Sequence, residues 1–127
     1  MLRSLVFSLL VLSLSACHAS MSPELRVLGV HEAEHAGVVF VQVTNPASRP
    51  MRLTKLEYTF AAGKETLSTG ELVLGRDVPA GAAVVVEVPI DNAPDTAVTL
   101  RGRLTAELDQ IVQIFKVQAE VQPHFVD

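Results

Sequence analysis

The chain has 127 residues, of which 49% are hydrophobic and 5% aromatic, with no Trp and a single Cys. Its net charge of −4 argues against nucleic-acid binding, because that affinity comes mainly from Lys and Arg neutralising phosphates. One Cys excludes an intrachain disulfide. The Val-, Leu- and Ala-rich composition is typical of a compact β protein rather than of an aromatic-lined binding cleft.

Residues 1–16 are predicted to form a lipoprotein signal peptide. One positive charge, at Arg3, precedes the uncharged apolar stretch Leu5 to Leu14. About ten residues are too few to span a bilayer of roughly 30 Å as a helix, but they match the apolar region of a secretory signal. The stretch ends in Leu14-Ser15-Ala16-Cys17, which resembles the lipobox of bacterial lipoproteins.

The lipobox resemblance implies cleavage before Cys17 and a triacylated N-terminus, and two or more acyl chains hold a protein firmly to a membrane. By analogy with the Gram-negative sorting rule, His18 in place of Asp favours the outer membrane, facing the periplasm. Residues 17–23 are then the lipidated Cys and a short tether, which reaches at most roughly 20 Å. The alternative is an ordinary signal peptide with a chance Cys.

Residues 24–123 are predicted to form one β domain, followed by a tail at 124–127. Glu24 to Glu32 is predicted to be the first strand, with apolar residues on both phases. The segment that follows, up to Gly37, is predicted to be a turn. Val38 to Asn45 is predicted to be the second strand. It should end at Asn45-Pro46, because proline has no amide proton for a sheet ladder.

The third strand, from Met51 to Phe60, changes phase along its length. Met51 and Leu53 share one face, whereas Leu56, Tyr58 and Phe60 share the opposite one. An inserted residue produces such a change, so we predict a β-bulge or bend near Thr54-Lys55.

Further strands are separated by turn signals about every ten residues. A hairpin turn at 61–64 leads to a polar strand at 65–74 that should be an edge or irregular strand, and a type I turn is predicted with Pro79 second and Gly81 fourth. Alternation predicts a fifth strand over 82–90, a sixth from Val98, and a seventh after a turn at Asp109-Gln110. About seven short strands indicate an all-β antiparallel two-sheet sandwich of immunoglobulin/fibronectin-III-like type.

The order and spacing of several segments resemble the WHy domain, the late embryogenesis abundant (LEA) type 2 family. The resemblance covers roughly Leu25 to Val121 and is carried by Phe40 to Pro46, Pro50 to Leu53, Leu56 to Phe60, Ser68 to Gly70, Val78 to Gly81 and Val84 to Ile90. It implies a sandwich with no catalytic residues and no cofactor. It also implies a protective or binding role under desiccation or similar stress.

The sequence therefore favours a non-catalytic, lipid-anchored protein of the bacterial cell envelope that acts in stress protection or binding. The alternative is a module that docks another envelope protein. Such a module could use the edge strand Glu65 to Leu74, or the face that carries Arg101 and Arg103, which also reads as a solvated sheet face. Oligomeric state is left open.

His31-Glu32-Ala33-Glu34-His35 matches the H-E-x-x-H pattern of zinc peptidases. That spacing requires a helix, which places both His on one face. Strand-like segments flank the motif here, and His124 is the one further histidine for a third ligand besides His18. A solvated acidic turn is the favoured interpretation, with His31 and His35 as candidate metal ligands and a zinc hydrolase as the third functional hypothesis.

Tyr58 is the single tyrosine. We predict that its ring lies in the core and that its hydroxyl reaches a backbone group, as buried Tyr usually does. A surface ligand contact is the alternative.

Overall fold

The computed structural model describes residues 22–32, 36–91 and 94–122, and within them the protein is all-β. The predicted two-sheet antiparallel sandwich is confirmed. The seven strands are β1 (Glu24–Glu32), β2 (Gly37–Thr44), β3 (Met51–Ala62), β4 (Glu65–Val78), β5 (Ala83–Ile90), β6 (Val98–Leu108) and β7 (Ile111–Val121).

One sheet has three strands in the order β1-β2-β5, and the other has four in the order β4-β3-β6-β7. Every pairing is antiparallel. In the constant-type immunoglobulin arrangement the fourth strand belongs to the sheet of the first two strands. Here β4 pairs with β3 instead, so the four-stranded sheet has β4 and β7 as its two edges.

The core lies between the inner faces of the two sheets, as the alternation predicts. Strand β6 buries its even-numbered apolar residues and turns Arg101 and Arg103 to the outside. Burying one such aliphatic side chain stabilises the fold by about 1.5–3 kcal/mol. The largest fully buried side chains include Phe60, Met51, Leu53, Leu56, Ile90, Leu100 and Leu104.

The predicted bulge in β3 is confirmed. Against β6 the register shifts between Leu53 and Lys55, so Thr54 is the extra residue there, whereas against β4 the extra residue lies on β4, between Val73 and Arg76. Its hydroxyl donates to the carbonyl of Thr105 at 2.8 Å. The bulge lets the apolar residues before and after it face the same core although their sequence phases are opposite.

A second bulge explains the mixed pattern of β1. The register against β2 shifts between Val27 and Gly29, which leaves Leu28 unpaired and half exposed. Strand β1 is also an edge strand. The bulge and the edge position together explain why apolar residues occur on both phases although the strand is not covered on both faces.

Strand β4 differs from its prediction in length. It is an irregular edge strand, as expected, but it continues from Leu74 to Val78. Register shifts near Leu67 and Gly75 interrupt its pairing with β3, and Gly75 has a φ of 57°. In the sequence, Gly75 and the polar residues that end β4 are typical of a loop. The pairing of Val78 with Met51 nevertheless keeps them in the sheet.

The turn after β4 begins one residue later than predicted. The amide of Ala82 donates to the carbonyl of Pro79 at 3.0 Å, which puts Pro79 first and Gly81 third. Gly81 has a φ of 71°, as the third position of a type II turn requires. The predicted type I turn was therefore wrong, because Val78 remains in the strand.

Asn45 organises the corner where β2 leaves its sheet. Its side chain is buried, and Nδ2 donates to the carbonyls of Arg49 at 2.8 Å, Val78 at 3.1 Å and Pro79 at 3.3 Å. Oδ1 accepts from the amide of Ala47 at 2.9 Å. One amide group therefore joins the loop that follows β2 to the turn that follows β4.

The strand directions place several segments at one end of the sandwich, which we call the lower end. Strands β1, β3, β5 and β7 begin there, while β2, β4 and β6 finish there. Strands β1 and β7 also lie against each other along one side. At this end, Arg49 pairs with Asp109 at 2.6 Å and so connects the 45–50 loop to the β6–β7 turn.

Candidate functional site

A groove of about 870 Å³ lies on the outer face of the four-stranded sheet. All four strands contribute to it. The pairing registers align its side chains in rows across the sheet, with Glu71, Glu57, Arg103 and Lys116 in one row and Thr69, Thr59, Arg101 and Gln118 in the next. Charge therefore changes from acidic to basic from β4 to β7.

Three cations of this face, Arg101, Arg103 and Lys116, form what we call the cationic cluster. Arg103 and Lys116 lie directly opposite each other, and Arg101 is two residues along β6 on the same face. All three are exposed. Like charges directly opposite each other on adjacent strands are destabilising. The arrangement is therefore one that a bound anion would relieve.

Three of the other cations in the described residues form ion pairs within the fold. Besides the Arg49–Asp109 pair, Arg52 lies 2.9 Å from Asp77 and Lys55 lies 3.3 Å from Glu71. In the described ranges no carboxylate forms an ion pair with a member of the cationic cluster, although Glu57 lies opposite Arg103 in the register. The cluster is thus available to a partner.

The beginning of β7 exposes a group of apolar side chains. Ile111, Val112 and Ile114 are 60%, 59% and 63% exposed, and we call them the apolar end of β7. Val112 and Ile114 point to the same outer face as the cationic cluster. Strand β7 is an edge, so this face carries aliphatic side chains at the lower end and cations further along the same strand.

Two glycines flank Tyr58 below the groove. Tyr58 pairs with Gly70 on β4 and with Gly102 on β6. A Cβ on Gly70 would lie 2.5 Å from the Tyr58 hydroxyl, and a Cβ on Gly102 would meet the backbone carbonyl of Glu57. Both positions therefore exclude a side chain for reasons of packing.

Tyr58 is a core residue, as predicted, with 8% of its surface exposed. Its ring packs edge-on against Phe60, with centroids 5.6 Å apart. Burial raises the pKa of the Tyr58 hydroxyl, and the negative charge of Asp91 raises it further. Among the hydrogen bonds of residues 22–32, 36–91 and 94–122, none joins the Tyr58 hydroxyl to a backbone group, so the predicted bond is not observed. The hydroxyl instead lies against Gly70.

The described part of the H-E-x-x-H segment is a strand. His31 and Glu32 end β1 opposite Val38 and Gly37, and both side chains are exposed. His35, the second candidate ligand, lies outside the described residues, as do His18 and His124. Over the described ranges no group of three or more His, Cys, Asp or Glu side chains is arranged to hold a metal ion.

Cys17, the predicted lipidation site, also lies outside the described residues. Within residues 22–32, 36–91 and 94–122 the structure contains no helix with the length and hydropathy of a membrane span.

Sequence reasoning identified Arg101 and Arg103 but missed Lys116 and the apolar end of β7. Alternation alone places Lys116 on an outer face, yet only the β6–β7 register shows that it meets Arg103. The turn at Asp109-Gln110 was predicted, and its two residues have φ of 56° and 66°. A two-residue turn fixes the register of a hairpin, so this signal was enough to find the pair.

The fold is similar to several solved structures, although no family model and no curated protein matches the chain. An Arabidopsis thaliana protein is 14% identical with a TM-score of 0.53, over 87% of each chain. A proposed LEA protein is 17% identical with a TM-score of 0.51, over 80% of this chain and 68% of that one. A protein from Archaeoglobus fulgidus is 12% identical with a TM-score of 0.55, over 83% of this chain and all of that one.

At these identities the likeness shows a shared fold. The chain has an LEA-like β-sandwich, and this agrees with the resemblance of its sequence segments to the WHy domain. Neither the A. thaliana structure nor the proposed LEA protein is named as an enzyme.

Proposed function

We propose that this protein is a non-catalytic, lipid-anchored domain of the bacterial cell envelope that protects or binds other envelope components under water stress. The observation that carries the proposal is the lipobox-like Leu14 to Cys17 placed a few residues before an LEA-like sandwich. The first feature supports attachment to a membrane, and the second supports a stress-related role.

The chemistry of the described surface supports a binding role rather than catalysis. Its groove contains hydroxyls, amides, the cations of the cationic cluster and the carboxylates of Glu57 and Glu71, and its one buried tyrosine has a raised pKa, which makes its hydroxyl a weaker acid. Neutral donors and fixed cations suit recognition of polar or anionic groups.

Lipid attachment is tested by mass spectrometry and cell fractionation of the full chain against Cys17→Ala. The expected result is a diacylglyceryl- and acyl-modified Cys17 in the membrane fraction, with the variant unprocessed or soluble. A membrane fraction unchanged by the substitution, or a mature chain that begins elsewhere, would remove the anchor from the proposal.

The protective role is tested by drying or freezing a sensitive enzyme with the purified domain at low molar ratio. We expect the recovered enzyme activity to exceed that obtained with an unrelated β-sandwich of equal size and charge. Equal recovery with both proteins would show that the effect is generic and would leave only the binding role.

A second candidate function is docking of another envelope protein. The groove favours it, since the edge strand β4 forms one of its sides through Thr69, Gly70 and Glu71. An extended segment could pair with that edge or lie on the face of Arg101 and Arg103. In-cell crosslinking should then capture a specific protein, and the capture should be lost when both arginines are reversed in charge.

The zinc hydrolase hypothesis makes a separate prediction. Protein purified without a His tag should contain stoichiometric zinc that disappears in His35→Ala. Absence of bound metal would dismiss that hypothesis and leave the non-catalytic proposal in place.

A further inference from the structure

We propose that the β7 side of the domain rests on a phospholipid surface. The apolar end of β7 would enter the headgroup region, and the cationic cluster would bind lipid phosphates. This inference rests on the proposed lipid anchor, which brings the domain to the membrane, but the surface itself is argued from residues 24–121.

The chain enters the sandwich next to this surface. Strand β1 begins at Glu24 at the lower end and lies against β7, which begins at Ile111 at the same end. From Cys17 to Glu24 a fully extended chain spans at most roughly 25 Å. An anchor at Cys17 therefore holds the lower end, and with it the apolar end of β7, within that distance of the membrane.

The apolar end of β7 has the composition that such a contact needs. Ile111, Val112 and Ile114 expose about three-fifths of their surface each. Other exposed aliphatic residues, such as Val73 and Val85, lie on different strands as single positions. Val112 and Ile114 share the outer face, and Ile111 adds a third aliphatic side chain at the first position of the strand. Exposed aliphatic side chains gain free energy when they enter the boundary between headgroups and acyl chains, where amphipathic surfaces reach about 5–10 Å deep.

The cations lie at a suitable height above the aliphatic group. Lys116 is two residues beyond Ile114 on the same face, or about 7 Å along the strand. Arg103 lies opposite Lys116, and Arg101 is next to it. With Ile114 below the headgroups, Lys116 and Arg103 reach the level of the phosphates, where guanidinium and ammonium groups form charge-assisted hydrogen bonds, and Arg101 lies about 7 Å farther out.

The remaining charges set the conditions for binding. Glu107 lies opposite Val112, Glu57 opposite Arg103, and the whole chain carries a net charge of −4. The domain as a whole is therefore repelled by an anionic membrane, and attraction comes only from the cluster. Binding should be weak without the anchor, should fall as salt rises, and should become effective when the tether raises the local concentration.

The test uses the unlipidated chain from residue 17 onward with Cys17→Ala, which contains all seven strands. It is mixed with vesicles of phosphatidylethanolamine and phosphatidylglycerol and measured by co-sedimentation. The double substitution Arg103→Glu with Lys116→Glu should lower the vesicle affinity at least tenfold at low salt. Ile114→Ser should lower it about threefold or more at any salt concentration.

Matched controls lie on the same face but away from the proposed contact. Val73→Ser removes an aliphatic residue that is 81% exposed on the opposite edge strand, and Lys64→Glu reverses a charge at the upper end. Neither should change vesicle affinity by more than about twofold. Thermal unfolding of every variant checks that the domain is intact.

Equal affinity of the parent and the charge-reversed variant, or equal losses in the controls, would overturn the inference. So would crosslinking of the cluster to an acidic protein in cells combined with no vesicle binding, because the occupant would then be a polypeptide. Since the vesicle assay uses a chain that cannot be lipidated at Cys17, its failure is distinct from failure of the proposed anchor.

Discussion

Asn45 offers the sharpest test of how the fold is held together. Its side chain is 1% exposed and makes four hydrogen bonds to backbone groups of two separate loops. Asn45→Ala removes all four. The carbonyls of Arg49 and Pro79 belong to exposed residues and can turn to water, and Val78 is still paired with Met51 in the sheet, but the amide of Ala47 remains buried without a partner.

Each orphaned buried backbone group costs about 1–3 kcal/mol. This orphaned amide and the lost bond to Val78, worth about 1 kcal/mol, together lower the free energy of unfolding by about 3 kcal/mol, a large share of the roughly 5–15 kcal/mol that holds a domain of this size together. The midpoint of thermal unfolding should fall by about 12 °C or more. Urea unfolding followed by circular dichroism measures the free energy, and calorimetry measures the midpoint.

Asn45→Asp keeps the shape but replaces the donor by a carboxylate oxygen that faces three carbonyls. The folded state then disfavours the ionised carboxyl, so the pKa of that group rises above its unfolded value of about 4. An acid with a raised folded pKa loses stability as pH increases through that window. The variant should therefore be nearest the parent below pH 4 and less stable than Asn45→Ala at neutral pH.

Ser48 provides the matched control, since it is exposed in the same loop. Ser48→Ala should change the free energy of unfolding by less than about 0.5 kcal/mol. The reasoning would be refuted if Asn45→Ala stayed within that same range, or if Asn45→Asp showed no dependence on pH relative to the parent.

Three further predictions follow from local geometry. Tyr58 is the single tyrosine and the chain has no Trp, so absorbance near 295 nm should show one ionisation, with a pKa above the usual value of about 10. Because the pKa is raised in the folded state, the stability of the protein should fall as the pH rises past about 10, and this fall should be absent in Tyr58→Phe. Gln110 has a φ of 66°, so Gln110→Gly should stabilise the hairpin by about 0.5–1 kcal/mol, and a lower melting temperature would contradict this. Gly102→Ala would drive a Cβ into the carbonyl of Glu57, so the free energy of unfolding measured in urea should fall by about 1–3 kcal/mol, and unchanged stability would show that β6 moves freely.

Local patterns predicted much of the fold. The phase change between Leu53 and Leu56 located the β3 bulge, because side-chain period in a strand is strictly two and only an extra residue can reverse it. Asp109-Gln110 between two alternating segments located the last hairpin. In both cases the deciding physics acts over a few residues, so the sequence contains the whole signal.

Other features depend on partners that are distant in the chain. Strand β4 continues to Val78 because Met51 pairs with it, and this outweighs the turn character of Gly75. The Nδ2 group of Asn45 reaches the carbonyl of Val78 across 33 positions. In the candidate surface the Asp109-Gln110 turn was enough to set Lys116 opposite Arg103, but Glu57 and Glu71 join that row only through pairings between distant strands. No local pattern can supply such pairings.

The odd number of strands has a mechanical consequence. The first residue of β1 lies at one end of the sandwich and the last residue of β7 at the other, because the strands alternate in direction. A load between an anchored N-terminus and anything attached beyond β7 therefore pulls β1 along its neighbour β2. Their hydrogen bonds then bear the load together, in shear, instead of opening one after another. Such a domain should withstand traction between its two ends better than traction applied across its edge strands.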